Sequence, residues 1–208
     1  MDSGITVTGT GQATAPADLL RLTLSVGHDA ADVAAAVSQV AQRTDAVHQA
    51  LSAQGVADDD IETSSVNVYP QYADSMALAG YRASHSLTVT TRDLTGFGRL
   101  LNAAVDAAGN NLGLDHLQFD VANKQPLMDQ ARELAFAQAQ TKADQLAALA
   151  GQELGPIAAV AESYGHAPIR GVALAAGKAS DAYSSELSVT PGEQTIEVSL
   201  DVRWSWAR

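Results

Sequence analysis

The sequence predicts an α+β protein whose elements run in the order ββαββαβαββ. Three observations lead to this fold class. Segments in which polar and apolar side chains alternate, as in strands with one covered face, recur along the chain. Three longer segments carry apolar residues at helical spacing. The clearest is the helix predicted over 126–150, which has a proline at its first position and a glycine just beyond its last.

Two strands and a helix open the chain. Small and β-branched residues alternate over 5–11, and leucines alternate with polar residues over 17–27. The motif Gly9–Gly11 begins like a phosphate-binding loop, but no third glycine or helix follows, so we interpret it as part of a strand. The stretch 29–54 predicts an amphipathic helix with an apolar stripe. The stripe residues are Val33, Val37, Val40, Thr44, Val47 and Leu51.

The middle of the chain predicts two strands, a helix and another strand. The strands cover 61–73 and 80–91, and Pro70 favours an edge position for the first because proline cannot donate to a ladder. A helix follows over 93–108, with an aspartate as its cap. The alternation of Leu117, Phe119 and Val121 with polar residues predicts the strand over 112–122.

The last third contains the 126–150 helix and two further strands, over 152–163 and 193–206. Alanines repeat every fourth residue of the helix and form a low ridge that a neighbouring sheet, or the 29–54 helix, can approach closely. The alanines of this row are Ala131, Ala135, Ala139, Ala143 and Ala147. The segment 164–189 shows no period, which is typical of a surface segment or a binding element.

The order of elements predicts how the chain is organised. Residues 17–122 follow the order βαββαβ, the split βαβ arrangement of ferredoxin-like folds. Residues 1–16 and 123–208 would form a second small α+β lobe, in which the first and last strands of the chain are neighbours. We therefore predict one domain, 1–208, made of two packed lobes with antiparallel or mixed sheets that helices cover.

Composition excludes several classes of function. The chain has 208 residues and a formal net charge of -12, with 24 acidic and 12 basic residues, and the basic residues are scattered. An acidic surface disfavours binding to nucleic acid and to anionic lipid. The absence of cysteine excludes disulfides, thiolate nucleophiles and iron–sulfur clusters. No apolar run is long enough to predict a transmembrane helix.

The first residues, MDSGITVTG, have neither a basic nor an apolar region of a signal peptide. The sequence as written therefore predicts a cytoplasmic protein. The alternative is a periplasmic or extracytoplasmic location, if the chain is the trimmed mature form.

No catalytic, cofactor or metal site is predicted. The histidines are spread along the chain, and none lies in the H-E-x-x-H motif of zinc proteases. The sequence also has no G-x-S-x-G motif, the nucleophile elbow of serine hydrolases. The histidines are His28, His48, His85, His116 and His166. The run Asp58-Asp59-Asp60 lacks the alternate spacing of a calcium loop, so we interpret it as a solvated acidic turn.

Several motifs occur together in one order. ITVTGTGQATAPADLLRLTLSV opens the chain, GVADDDIETSSVNVYPQY follows the first helix, and GYRASHSLTVTTRDL and AGNNLGLDHLQFD come next. QARELAFAQAQTKADQLAALAGQELG and PGEQTIEVSLDVRW complete the series. In this order and spacing the chain resembles the SIMPL-domain family over nearly its full length. That bacterial group includes an oxidative-stress-associated periplasmic protein and immunogenic outer-membrane-associated proteins.

The resemblance implies no catalytic residues. It implies a ring-like or channel-like oligomer, as some members form, and a stress-related role. The predicted function is thus a non-enzymatic, self-assembling structural or interaction protein whose partner is itself. Two alternatives remain open: a small-molecule or metal-binding module using Asp58–Asp60 or 164–189, and a hydrolase of unknown substrate.

Overall fold

The residues that the structure describes form seven strands and three helices in the predicted order ββαββαβαββ, and their sheets are antiparallel. This computed structural model describes residues 4–73, 77–163 and 190–207. Contacts divide the elements into two compact units. The elements are β1 (Gly4–Pro16), β2 (Leu19–Ala30), α1 (Val33–Ala53), β3 (Ile61–Tyr72), β4 (Leu78–Thr91), α2 (Phe97–Ala108), β5 (Leu112–Asp120), α3 (Gln125–Leu149), β6 (Leu154–Ser163) and β7 (Glu193–Trp206).

The unit made of β2, α1, β3, β4, α2 and β5 has the predicted ferredoxin-like topology. Its four-stranded sheet has the order β3-β4-β2-β5. The strands β2 and β3, joined through α1, are separated by β4, which is antiparallel to both. This is the split βαβ arrangement. The strand β3 forms one edge of the sheet, in agreement with its proline at position 70.

Strand β2 is the centre of this unit. Leu20, Leu22, Leu24 and Val26 are fully buried, and the residues between them point to the opposite face, which is polar. Both helices pack on the leucine side of the sheet and bury apolar residues there. The helical core residues are Ala36, Val40, Val47, Leu51, Phe97, Leu100 and Ala104. Alternation along β2 therefore separates a helix-covered face from one on which no helix among the described residues of this unit packs, called the helix-free face here.

Helix α1 begins four residues later than predicted. The chain remains extended to Ala30 because Asp29 pairs with Arg82 in the β2–β4 ladder, with Arg82 Nη1 to Asp29 Oδ2 at 3.0 Å. Asp32 then caps the helix and accepts a hydrogen bond from the Ala35 amide at 2.8 Å. In the first turns the buried face of the helix runs through Ala36, which packs with Ala83 of the sheet, so Val33 and Val37 of the predicted stripe are exposed.

Helix α2 also begins four residues later than predicted, at Phe97. Asp93 does not cap the helix directly. Its carboxylate instead closes the preceding turn, accepting hydrogen bonds from the Thr95 amide and hydroxyl and from the Gly96 amide. Aspartate favours such turns because its side chain can replace a backbone acceptor.

Replacing Asp93 by asparagine tests the charge in this turn. The Thr95 hydroxyl bond, with backbone amides and Arg99, lowers the pKa of the Asp93 carboxyl. A lowered pKa means that the charged form stabilises the fold above the ordinary aspartate value of about 3.9, and that this stabilisation is lost as the pH falls through the folded-state pKa. We expect D93N to lower stability at pH 7 by roughly 0.2–1 kcal/mol, as for exposed ion pairs. In urea titrations the difference from wild type should shrink toward pH 2; a pH-independent difference would contradict the assignment.

The other unit contains β1, β7, β6 and α3. Its sheet has the order β1-β7-β6, so the first and last strands of the chain are neighbours, paired from Gly4–Ser205 to Pro16–Glu193. One face of β7 is buried against α3. The core residues on the sheet are Val7, Ala13, Val198, Leu200, Val202 and Trp204.

The alanine row of α3 packs on this sheet, which decides between the two predicted contacts. Every alanine of the row is buried, from Ala131 to Ala147. The opposing positions on β1 are Gly9 and Gly11. A Cβ on Gly9 would lie 2.7 Å from the Ala139 amide nitrogen and 2.8 Å from its Cβ. Helix and strand can approach this closely only because both surfaces lack bulk.

Candidate functional site

The described histidines do not form a common site. His28 and His116 lie on β2 and β5, and His48 lies on α1. His85 lies on the helix-covered side of β4 and is half-buried, and its Nε2 is 3.0 Å from Thr63 Oγ1. His166 and the predicted binding segment 164–189 lie outside the described residues.

The acidic run at 58–60 forms a short 3-10 turn after α1. All three aspartates are exposed, and Asp58 accepts a hydrogen bond from the Ser52 hydroxyl at 2.9 Å. Within residues 4–73, 77–163 and 190–207, no three histidine, aspartate or glutamate side chains gather as metal ligands would. This turn therefore supplies no observation in favour of the metal-binding alternative.

The outer edge of β3 is an exposed surface with apolar side chains. Strand β3 pairs with β4 along one edge, and no strand among the described residues pairs with its other edge. The exposed fractions are 62% for Val66, 59% for Tyr69 and 64% for Tyr72, so both faces of the strand present large side chains to solvent. Such a strand offers backbone donors and acceptors together with apolar area.

Other edge strands carry features that hinder pairing with another chain. Strand β5 has an irregular register near Leu114 and charged Asp115 beside it, and β6 has two register shifts around Ile157. On the edge strand β1, the Thr8 carbonyl already accepts a hydrogen bond from Lys142 Nζ of α3 at 2.8 Å. Strand β3 contains neither lysine nor arginine, and between its bulge near Ser64 and its second shift at Tyr72 it pairs regularly. The comparison makes β3 the better template for strand addition.

A polar cleft of about 580 Å³ lies on the helix-free face of the ferredoxin-like unit. Its floor consists of cross-strand pairs between β2 and β4, which place six residues on one side of the sheet. The pairs are Ser25–Ser86, Gly27–Ser84 and Asp29–Arg82. Asn110, Asn111 and the start of β5 form the wall. The volume is in the range of small-molecule sites.

Two glycines leave room for polar side chains in this cleft. A Cβ on Gly27 would come within 3.1 Å of Arg82 Nη2, and one on Gly113 within 2.7 Å of the Ser25 hydroxyl. The Arg82 guanidinium therefore lies across Gly27, and the Ser25 hydroxyl, which donates to Asp115 Oδ1 at 2.8 Å, lies over Gly113. The missing side chains keep the floor low and its hydrogen-bonding groups accessible.

The cleft lacks the arrangement of a serine hydrolase within the described residues. Ser25 donates directly to the Asp115 carboxylate, whereas nucleophilic catalysis places a histidine between the two groups. The geometry is suited to binding through hydrogen bonds. Ser25, Ser84 and Ser86 each alternate with apolar residues in the sequence. What the sequence could not show is the strand register that brings the three serines together.

A family model described as SIMPL, a protein of unknown function (DUF541), matches residues 5–204. The 26 kDa periplasmic immunogenic protein of Brucella melitensis is 30% identical over 95% of this chain and 82% of its own length. The uncharacterized protein YggE of Edwardsiella ictaluri is 32% identical over 75% of this chain and 66% of its own length. For YggE of Escherichia coli K12 the identity is 30% over 75% of this chain and 64% of that protein.

These relatives contradict the predicted cytoplasmic location. Two of them, from Brucella melitensis and Brucella abortus, are named as periplasmic proteins. The prediction rested only on the pattern of the first residues, and packing and strand pairing obey the same physics in both compartments, so the fold does not indicate the location. The predicted absence of a membrane-crossing helix is confirmed: no helix of the described ranges combines the necessary length and hydropathy.

Proposed function

Since this chain belongs to the SIMPL family, with periplasmic proteins among its relatives, we propose that it is a periplasmic, non-catalytic protein that acts by assembling with copies of itself. The edge strand β3 carries the proposal. Copies would add to the outer edge of this strand, and the exposed valines and tyrosines would be covered by the partner.

The distribution of charge supports self-association through this particular edge. The chain as a whole has a formal charge of -12, which makes two copies repel each other at random encounters. Within β3, however, Glu62 is the single charged residue, and it lies at the beginning of the strand. The segment from Val66 to Tyr72 is therefore uncharged, so a second copy meets little like-charge repulsion along it.

Replacing Val66 by lysine tests the proposal. A lysine on an edge strand introduces a positive charge that must be desolvated when a second strand pairs there, so the assembly should dissociate. We expect light scattering coupled to size exclusion to show an oligomer for wild type and a protomer-sized species for V66K at the same concentration. Because Val66 is 62% exposed, the fold itself should be unaffected.

The matched control is Val105→Lys, which introduces the same charge at another exposed valine. Val105 is 44% exposed and lies on α2, away from the edge of the sheet. V105K should remain oligomeric. A wild-type protein that is monomeric at every concentration, or a V105K protein that dissociates as V66K does, would refute assembly through β3.

A further inference from the structure

The cleft on the helix-free face has hydrogen-bonding groups that the protein leaves unused. Arg82 contacts Asp29 through Nη1 alone, at 3.0 and 3.2 Å from the two carboxylate oxygens. Its Nε and Nη2 have no hydrogen-bond partner within the described part of the chain. Within the described residues, the hydroxyl groups of Ser84 and Ser86 and the side-chain amide of Asn110 also have no hydrogen-bond partner. The cleft thus presents both donors and acceptors in a small area.

The charge of the cleft argues against an ionic ligand. One guanidinium, on Arg82, stands against two carboxylates, on Asp29 and Asp115, so that the lining has a formal charge of about -1 with histidine neutral. Asp29 already neutralises the guanidinium, and the second carboxylate would repel a phosphate or carboxylate ligand. A divalent cation finds no ligand set, as the described residues contain no cluster of three suitable side chains. A neutral ligand fits this balance best.

An aromatic ring stands beside the polar floor. Tyr69 of β3 is directly opposite Arg82 in the β3–β4 ladder, and paired residues project to the same side of the sheet. Its hydroxyl donates to Asn67 Oδ1 at 3.2 Å, and 59% of the residue is exposed. A tyrosine combines an apolar ring face with a polar tip, which suits a ligand that has both C–H and hydroxyl surfaces.

From these three observations we propose that the cleft binds a neutral, hydroxyl-rich ligand, a short oligosaccharide. The hydroxyls of a sugar are donors and acceptors at once and match the mixed set from Ser84, Ser86 and Asn110. The C–H face of a pyranose ring packs on Tyr69. The volume of about 580 Å³ is within the range of clefts that hold small ligands.

The test uses the full-length protein on an array of neutral, acidic and phosphorylated oligosaccharides, followed by calorimetry with the best neutral binder. The informative pair is Ser84→Val and Ser84→Thr. Threonine and valine have the same shape, so the variants differ only in the hydroxyl at this position. We expect S84V to weaken binding about tenfold, the effect of one lost hydrogen bond to a buried ligand group, and S84T to retain it.

Thr90→Val is the control for a general effect of hydroxyl loss, because Thr90 lies on the same face of β4 outside the cleft. It should bind as wild type does. The proposal is overturned if wild type binds no neutral oligosaccharide, if it binds only acidic or phosphorylated ones, or if S84V and S84T bind equally. Circular dichroism verifies that each variant is folded. The Ser84 variants test the cleft and V66K tests assembly, because Val66 pairs with His85 on the helix-covered face whereas Ser84 lies on the opposite one. Tyr69 belongs to both surfaces, so the variants at Ser84, and not at Tyr69, distinguish the failure of one proposal from the failure of the other.

Discussion

The variant Ala139→Leu should lower the melting temperature by roughly 6 °C or more, corresponding to about 3 kcal/mol, the upper part of the usual range for overpacking. Ala139 is fully buried, and a Cβ added to Gly9 of β1 would lie only 2.8 Å from its Cβ. A leucine there must displace β1 or α3, and neither is a flexible side chain that can simply rotate away. Differential scanning calorimetry measures the effect.

Ala137→Leu provides the matched control. Ala137 lies two residues away on the same helix and is exposed, so the substitution introduces the same side chain into solvent. Leucine and alanine have similar helix propensities, and we expect a change within about 0.5 kcal/mol. Equal melting temperatures for A139L and wild type would mean that the alanine row does not determine the distance between helix and sheet.

The second large effect is expected for Leu24→Ala in the ferredoxin-like unit. Leu24 is fully buried in the central strand β2, between neighbouring strands and beneath the helices. Truncation removes apolar contacts and leaves a cavity, which costs about 2–5 kcal/mol because strands on both sides restrain collapse. Urea denaturation should show a lower midpoint with an unchanged slope.

The control for this variant is Leu114→Ala, which is the cross-strand neighbour of Leu24 on β5. Leu114 is 39% exposed, so its truncation removes less buried area and leaves no closed cavity. We expect its cost to be below half that of L24A. Similar costs for both variants would place the centre of the core elsewhere than on β2.

Strand β2 and helix α1 show where local patterns mislead. The helix predicted over 29–54 begins at Asp29, and aspartate is a residue type that often caps helices. In the folded chain a second aspartate, Asp32, takes that position, and Asp29 is held in the sheet by Arg82, which lies 53 residues later. Asp29 and Asp32 could each cap the helix, and the ion pair between Asp29 and the distant Arg82 leaves Asp32 as the cap.

Functional residues were harder to predict than elements. The hydroxyls of Ser25, Ser84 and Ser86 belong to alternating polar faces, which is also the pattern of any solvated sheet. A register shift of one residue would reverse the face to which each side chain points. The cleft therefore exists only for one alignment of β2, β4 and β5, and no short motif encodes that alignment.

The feature that the sequence by itself determined most completely is the α3 helix with its alanine row. Its signals are local in the chain: a proline at the start, the i+4 spacing of the alanines, and a glycine after the end, Gly151, whose φ is +63°. The predicted helix therefore agrees with the observed one to within one residue at each end. Tertiary structure alone decided what the row contacts, because Gly9 and Gly11 lie more than a hundred residues away in the chain. It also decided which strand has a free edge and which polar side chains share a cleft. Both depend on strand order and register, which arise from packing between distant segments.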